Sequence, residues 1–359
     1  MLKTQDEPVR IGILGAGTIA HKMARTIGMM RDDERYAGEV ELCAIAARDL
    51  GRAQQFARKF NIPQAYGSYE ELVNDPSIDL VYIATPHSFH AQQATLCLNA
   101  GRNVLVEKPF APNAAQARDV FSLAERKGLF CGEAFWTRFM PMRETIASLI
   151  DSGIIGEISA VTASIGGYGL NIPRLVKPEL AGGALLDTGI YTLSFADTIL
   201  EQQAPRDDGN RQTPQQSDFQ HGSQPIAKIQ TSMRPCPTGV DAQSFTTLTY
   251  ENGAMAEVFS SIIATTQPRG NICGSKGSII CDNVMDIASA DIYDENHHLL
   301  RTVSAPVQLT GYEYEVEAAA QAVRTHKTEY DRHQHSDTLR ILGLMDQIRA
   351  DWGLRYPFE

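Results

Sequence analysis

A glycine-rich turn between an apolar run and a helix is the feature that most limits how this chain can fold. Residues 9–14 are apolar, two glycines follow, and residues 19–30 have the spacing of a helix. In the pattern GxGxxG/A the first glycine permits a tight turn, the second lets a pyrophosphate approach the backbone, and a small third residue lets the helix pack on the strand. The helix N-terminus also attracts the anion. We therefore expect a dinucleotide to contact Gly15, Gly17, Thr18 and Ile19.

Strand-like and helix-like segments alternate through the first third of the sequence. Apolar runs occupy residues 40–47, 80–84 and 103–106, and helical spacing occupies 52–60, 90–100 and 113–127. This alternation is typical of βαβ units and of a parallel sheet covered on both faces. The predicted fold class is α/β, with a doubly wound Rossmann domain over residues 1–132.

After residue 132 the pattern changes. Helical spacing appears at 141–152, 183–200, 314–325 and 336–352, and strand-like runs appear at 157–165, 227–233, 245–250, 254–263 and 277–281. Asn252-Gly253 is a hairpin signal between two of these strands. We predict a second, α+β domain over residues 133–359 with a largely antiparallel open sheet. Residues 206–224 are polar and nearly free of aliphatic side chains, so we interpret them as a surface insertion loop.

Composition limits the function classes. At 359 residues the chain exceeds the size at which one core usually stops growing, and its net charge of −11 argues against nucleic acid as a partner. The six cysteines are scattered without metal-ligand spacing, so no metal is expected. The first residues lack an apolar signal region, and no run approaches the roughly 18 apolar residues of a membrane span. We expect a cytoplasmic protein that does not bind a membrane.

An arginine follows the second predicted strand, where an NAD-preferring domain normally has a carboxylate that binds the ribose. Arg48 can pair with a 2′-phosphate and stack on adenine, and Arg52 lies one helical turn further on. NADP is therefore favoured as the cofactor. The alternative is that both arginines are solvated and that Asp49 binds the ribose, which would indicate NAD.

The residues after the strand 80–84 are a second candidate cofactor contact. In an open α/β sheet, ligands bind outside the carboxyl ends of the strands. We expect Thr85, Pro86, His87 and His90 to border the cofactor, with the two histidines donating to its oxygens. For His90 the alternative is a packing role at the start of a helix.

Lys108, Asp187 and Tyr191 are the candidate catalytic residues. Glu107 and Lys108 follow the strand 103–106, where a lysine can lie near the nicotinamide. Asp187 and Tyr191 are four residues apart in a predicted helix, which places a carboxylate and a phenol on one face. A tyrosine whose phenolate is favoured by a lysine can take a hydroxyl proton as hydride leaves, with the aspartate orienting the hydroxyl. Spacing alone favours the alternative that Asp187 complements the helix N-terminus and Tyr191 packs in the core.

The tripeptide Glu-Lys-Pro at 107–109 and the segment GGALLDTGIY at 182–191 resemble the Gfo/Idh/MocA oxidoreductases. The resemblance is strongest to the branch with dimeric dihydrodiol dehydrogenase and NADP-dependent xylose dehydrogenases, and segments 46–72, 133–139 and 352–359 share it. It implies that Lys108 and Tyr191 form the catalytic pair, that Asp187 holds the substrate and that the two arginines hold the 2′-phosphate. It also implies a homodimer, formed through the exposed face of the second domain's sheet.

The same resemblance places Trp136 and Arg138 in the cleft, and we count both with the cofactor contacts together with Glu107 and Lys108. His87 stands where an asparagine is frequent in the family. The expected activity is hydride transfer between NADP and a carbinol or carbonyl carbon of a sugar, polyol or cyclic diol. Two alternatives remain: a non-catalytic NADP-binding regulator of the same fold, and a sugar–sugar oxidoreductase that keeps its NADP tightly bound.

Overall fold

The computed structural model describes residues 7–201 and 225–359, so the predicted insertion 206–224 lies outside the described residues. The chain divides into two units. The first comprises Met1–Phe139 and Val307–Gly343, and the second comprises Met140–Pro306 and Leu344–Glu359. These bounds differ from the expected division into 1–132 and 133–359, because a late segment of the chain belongs to the first unit.

The first 139 residues alternate strands and helices, as expected. Their strands are β1 (Val9–Leu14), β2 (Val40–Ala46), β3 (Gln64–Tyr66), β4 (Leu80–Ile83), β5 (Asn103–Glu107) and β6 (Cys131–Ala134). Their helices are α1 (Thr18–Asp32), α2 (Leu50–Phe60), α3 (Tyr69–Val73), α4 (His90–Asn99) and α5 (Ala114–Lys127). Side chains at the helix ends define several of these bounds. For example, Asn113 caps α5 by accepting from the amide of Gln116 at 2.9 Å, and Gly128 ends it in a left-handed conformation.

The strands of the first unit form one parallel sheet in the order β3-β2-β1-β4-β5-β6. The order reverses between β1 and β4, which is the position at which a doubly wound sheet binds its ligands. β4 is buried along its whole length, as expected for a strand covered on both faces. The predicted Rossmann domain is therefore confirmed.

The second unit begins with a helix and is dominated by a second sheet. Its helices are α6 (Pro141–Asp151), α7 (Pro173–Val176) and α8 (Ile190–Glu201). Its strands are β7 (Ile158–Gly166), β8 (Ile226–Pro235), β9 (Asp241–Tyr250), β10 (Met255–Ser261), β11 (Gly270–Gly274), β12 (Gly277–Cys281), β13 (Ser289–Asp294) and β14 (Leu299–Ser304).

Among the described residues this second sheet has eight strands, in the order β14-β13-β12-β11-β7-β10-β9-β8. Only the pairing of β7 with β10 is parallel, so the predicted, largely antiparallel sheet is confirmed. The hairpin between β9 and β10 turns at Gly253, which has φ +85° and donates to the carbonyl of Tyr250 at 2.9 Å. Helix α8 packs on β7 and β10 and covers one face of the sheet.

Two long helices complete the described chain, α9 (Glu313–Arg324) and α10 (His335–Asp351). We expected both in the second domain, but α9 belongs to the first unit and the division between units falls inside α10. The backbone of Cys131 donates to Thr328 at 3.0 Å, and the fully buried pair of His333 and Glu133 is joined at 3.0 Å. Local spacing predicts a helix but does not predict which distant strand it packs against. Within the described residues, no helix combines the length and apolar character needed to cross a bilayer.

Candidate active site

The first position of the glycine turn after β1 can be occupied only by a residue without a side chain. Gly15 has φ +100° and its amide donates to Ala46 at 2.9 Å. A Cβ built on Gly15 would lie 2.7 Å from the carbonyl oxygen of Ala84, which is closer than such atoms approach. The turn is therefore held between the carboxyl ends of β2 and β4.

The first turn of α1 suits an anion. Gly17 is the N-cap residue, no side chain caps the helix, and its first turn contains no acidic residue. Thr18 is exposed and Ile19 is half-buried. Because the first amides of a helix have no partner inside it, those of α1 can bind phosphate oxygens. The residues present thus fit a dinucleotide pyrophosphate.

The residues after β2 include one acid and two arginines, Asp49, Arg48 and Arg52. Asp49 is the N-cap of α2 and accepts a hydrogen bond from the amide of Arg52 at 2.8 Å, so its carboxylate has a structural role. The guanidinium of Arg52 lies 3.5 Å from the carbonyl oxygen of Ala16, in the glycine turn. Arg48 is exposed. One cation, Arg52, therefore lies beside the turn, and a second, Arg48, follows the end of β2.

Sequence reasoning missed Tyr69, the first residue of α3. Burial raises the pKa of Tyr69, and the charges of Arg48 and Arg52 act in the opposite direction, so the three side chains lie within electrostatic range of one another. The sequence alone does not indicate that these side chains lie close together, because no spacing rule relates Tyr69 to the arginine seventeen residues before it.

His90 is buried in the first unit and contacts the backbone of two loops. The ring is fully buried, its Nδ1 lies 2.8 Å from the carbonyl oxygen of Pro109 and its Nε2 lies 2.8 Å from that of Thr85. Both nitrogens are thus engaged with backbone, and burial lowers the pKa of the ring. These contacts support the packing alternative, in which His90 joins the loop after β4 to the loop after β5, and its contact with the cofactor stays a prediction.

The other residues of the loop after β4 remain candidates. The hydroxyl of Thr85 donates to Gln93 at 2.5 Å, and Pro86 precedes a single turn of 3-10 helix, His87–Phe89. His87 is buried, with its ring 5.8 Å from that of His90.

Lys108 lies in the loop after β5, next to the buried side chain of Glu107. The carboxylate of Glu107 accepts from the hydroxyl of Tyr82 and from the amide of Lys108, the latter at 3.2 Å. Burial raises the pKa of Glu107 to about 7, although the Tyr82 hydroxyl and the charge of Lys108 lower it. Glu107 therefore supports the loop from inside the unit, and its contact with the cofactor stays a prediction.

Trp136 stacks on Tyr312, a contact that the sequence does not predict. Its ring lies 4.6 Å from that of Tyr312, nearly parallel at 9°, and the ammonium of Lys22 lies 5.9 Å from the Tyr312 ring. Tyr312 comes from the late segment of the first unit, so no local pattern could have paired it with Trp136. Arg138 lies with its guanidinium 5.9 Å from the ring of Phe135.

In the second unit, Asp187 and Tyr191 lie on a helical segment of mixed geometry. Leu185–Gly189 form a π-helical turn that continues directly into α8, so the expected α-helical spacing does not apply across it. Asp187 accepts a hydrogen bond of 2.5 Å from Arg174, which sequence reasoning missed. Tyr191 is buried.

A family described as "Oxidoreductase family, NAD-binding Rossmann fold" matches residues 9–135, and the "GFO/IDH/MocA C-terminal domain" matches residues 144–280. The chain belongs to the Gfo/Idh/MocA oxidoreductase family. The resemblance noted from the Glu-Lys-Pro and GGALLDTGIY segments is thereby confirmed.

Several known proteins are similar to this chain over nearly its whole length. The trans-1,2-dihydrobenzene-1,2-diol dehydrogenase of Xenopus tropicalis is 32% identical over 96% of this chain and 98% of its own. The structure of KijD10, a 3-ketoreductase from Actinomadura kijaniata in complex with NADP and TDP-benzene, has a TM-score of 0.79 and 25% identity, covering 96% and 98%. An aldose-aldose oxidoreductase from Caulobacter crescentus, complexed with glycerol, shares the fold with a TM-score of 0.78 and 18% identity, covering 96% and 97%.

Proposed function

We propose that this chain is an NADP-dependent dehydrogenase or reductase that transfers hydride between the nicotinamide and a carbinol or carbonyl carbon of a sugar, polyol or cyclic diol. The observation that carries the proposal is that three features of the first unit lie at the same edge of its sheet. The glycine turn, Arg48 and Lys108 follow the carboxyl ends of β1, β2 and β5, which belong to one parallel sheet. A nucleotide phosphate site and a candidate catalytic lysine therefore share one edge of that sheet.

The preference for NADP over NAD rests on two side chains. The Oδ1 of Asp49 accepts from the amide of Arg52, so the acid that would bind a ribose hydroxyl also caps a helix. Arginine binds phosphate with two parallel, charge-assisted hydrogen bonds. The NADP in the structure of KijD10, a relative of the same fold, supports this choice.

The proposed chemistry assigns one role to each of three residues. Bound NADP supplies the hydride acceptor in oxidation and the hydride donor in reduction. Tyr191 exchanges the proton of the substrate hydroxyl, and the positive charge of Lys108 favours the ionised phenol. Asp187, kept in place by the Arg174 guanidinium, orients that hydroxyl. The names of the relatives support an alcohol or ketone as the reacting group.

The test replaces the two groups that would act on the proton. We expect Lys108→Met and Tyr191→Phe each to abolish turnover while NADP binding, followed by fluorescence, is retained. The matched controls are Lys127→Met at the exposed end of α5 and Tyr293→Phe on β13, and both should keep normal rates. Substrates come from a panel of aldoses, inositols and diols, with turnover followed at the nicotinamide absorbance band. Normal rates in both active-site variants would overturn the mechanism.

The same panel separates the enzyme from a non-catalytic regulator. Binding of NADP without turnover of any candidate would favour the regulator, whereas the presence of Lys108, Asp187 and Tyr191 favours the enzyme. Nucleotide that is released only on denaturation would favour a sugar–sugar oxidoreductase.

We also propose that the chain forms a homodimer through the face of the second sheet that α8 leaves uncovered. Phe245 is 49% exposed on this face, and its ring lies 4.5 Å from that of Phe259. The same face contains a cavity of about 400 Å³ lined by both rings. Exposed aromatic side chains beside such a depression are typical of protein–protein contacts.

A further inference from the structure

Two glycines precede the segment that carries Asp187 and Tyr191, and the turn they form is tightly bonded. Gly183 has φ +121°, and its amide donates to Leu175 at 2.8 Å. The amide of Gly182 donates to Lys177 at 3.1 Å. The carbonyl of Gly182 accepts a hydrogen bond of 2.6 Å from the hydroxyl of Tyr356. A residue late in the chain therefore contacts the turn directly.

A buried carboxylate holds the next part of the same segment. Asp241, the first residue of β9, is fully buried and accepts from the amide of Leu185 at 2.6 Å. A Cβ on Gly183 would lie 2.1 Å from the Oδ1 of Asp241, so the carboxylate lies against the turn itself. Burial raises the pKa of Asp241 to about 7, while hydrogen bonds from the backbone, including the Leu185 amide, lower it.

Tyr356 is itself fixed by a compact ion pair. Its ring lies 4.9 Å from the guanidinium carbon of Arg349, and its amide donates to Glu359 at 3.0 Å. Arg349 donates to both carboxylate oxygens of Glu359, at 2.8 and 2.9 Å, and to Asp346 at 2.8 Å. Tyr356 and Arg349 are buried. The segment 352–359 contributes to the resemblance to the family but has no role in the proposed chemistry. Through Tyr356, this segment contacts the Gly182-Gly183 turn.

We propose that Tyr356 and Asp241 are positioning residues, which hold the Gly182-Gly183 turn from two sides and thereby set the orientation of Asp187 and Tyr191. The π-helical turn and α8 run on from the glycines without a break, so a shift of the turn displaces both side chains together. The proposal rests on the proposed catalytic roles of Asp187 and Tyr191. It identifies a residue 165 positions after Tyr191 as a determinant of the same reaction.

The first test removes one hydroxyl. Tyr356→Phe keeps the ring beneath Arg349 and deletes only the bond to Gly182. We expect amide hydrogen exchange in peptides covering 182–191 to become faster and kcat to fall about tenfold, the effect of losing one buried hydrogen bond. KM and NADP binding should change little. The matched control is Tyr250→Phe, since Tyr250 is equally buried and donates to Asp197 on α8 at 2.9 Å, away from the turn.

A second pair of variants tests Asp241. Asp241→Asn keeps an acceptor for the Leu185 amide, whereas Asp241→Ala removes it. We expect the alanine variant to show faster exchange in 182–191 and a lower kcat, and the asparagine variant to restore both in large part. Because Asp241→Ala also leaves a buried amide without its partner and can unfold the unit, Tyr356→Phe remains the deciding variant.

The readouts separate this proposal from the proposed function. Unchanged exchange in Tyr356→Phe, or faster exchange with an unchanged kcat, overturns the positioning role even when Tyr191→Phe is inactive. A lower kcat with unchanged exchange also overturns it. Full turnover in Tyr191→Phe overturns the proposed chemistry instead, and hydrogen exchange then shows whether Tyr356 holds the turn.

Discussion

The carboxylate of Asp49 accepts a hydrogen bond of 2.8 Å from the amide of Arg52, so the acidic residue that follows β2 caps a helix. The guanidinium of the same arginine reaches the glycine turn, 3.5 Å from the carbonyl oxygen of Ala16. Arg52 therefore donates to the competing acid through its backbone amide and offers a cation through its side chain. This arrangement is the physical basis of the expected preference for NADP.

The first prediction concerns that preference. We expect Arg48→Ser and Arg52→Ser each to raise KM for NADP about 10- to 100-fold, since each removes charge-assisted hydrogen bonds to the 2′-phosphate. KM for NAD should hardly change. Steady-state kinetics with both nucleotides measures the ratio. Arg58→Ser, at the exposed last turn of α2, is the control, and equal losses with NAD and NADP would contradict the assignment.

The second prediction distinguishes the two glycines of the turn. Gly15→Ala should lower stability by about 1–3 kcal/mol, because its φ of +100° and the carbonyl of Ala84 both disfavour a Cβ. Gly17 has φ −90° and its Cβ would lie 3.8 Å from the same carbonyl, so Gly17→Ala should keep its thermal midpoint. Both variants should bind NADP weakly by isothermal titration. Normal binding in Gly17→Ala would show that the pyrophosphate lies elsewhere.

The third prediction concerns pH. The folded state raises the pKa of Glu107 from 4.5 to about 7, so it holds a proton that the unfolded chain has already lost. The stability from this difference is present below 4.5 and disappears as pH rises through 7, by at most about 3 kcal/mol. Glu107→Gln stays neutral throughout. The wild-type thermal midpoint should therefore fall relative to this variant between about pH 5 and pH 8.

Differential scanning fluorimetry across this range measures the effect. Glu70→Gln, on the exposed surface of α3, is the control and should follow the wild type at every pH. If the thermal midpoints of Glu107→Gln and of the wild type change in parallel with pH, burial does not destabilise the ionised carboxylate of Glu107.

The fourth prediction concerns the assembly. Phe245→Glu should convert the proposed dimer to a monomer in light scattering, because a carboxylate in a buried apolar contact has no partner. Val307→Glu, at a position that is 86% exposed in the first unit, should leave the mass unchanged. A monomeric wild-type protein at micromolar concentration would exclude this interface.

Most of the first sheet could be predicted because its signals are local. The glycine turn, the apolar runs and the helical spacing between them each lie within about fifteen residues. β3 was missed because Gln64–Tyr66 is too short to show a period. In the second sheet, β11, β13 and β14 were missed, since they are short and only partly buried, without a continuous apolar run.

The site could be predicted less completely, because several of its contacts join distant residues. The pairing of Arg174 with Asp187 and the stacking of Trp136 on Tyr312 depend on folding and not on spacing. His90 shows the limit of a motif, since a histidine at the expected strand end has both ring nitrogens within 2.8 Å of backbone carbonyl oxygens. Burial and partner atoms, which the sequence does not contain, decide such cases.

The first unit is completed by residues 307–343, which are synthesised after residues 140–306 of the second unit. Glu133 is buried against His333 and Thr338, two hundred residues later in synthesis. Until that segment emerges, the nascent nucleotide-binding sheet has an acid without its partner and Gly132 without the Tyr330 ring beside it. Because one cut in the chain cannot separate the two units, a fragment that stops at residue 139 would lack part of its own interior. Exchange of this domain between relatives therefore requires three crossovers, after residues 139, 306 and 343.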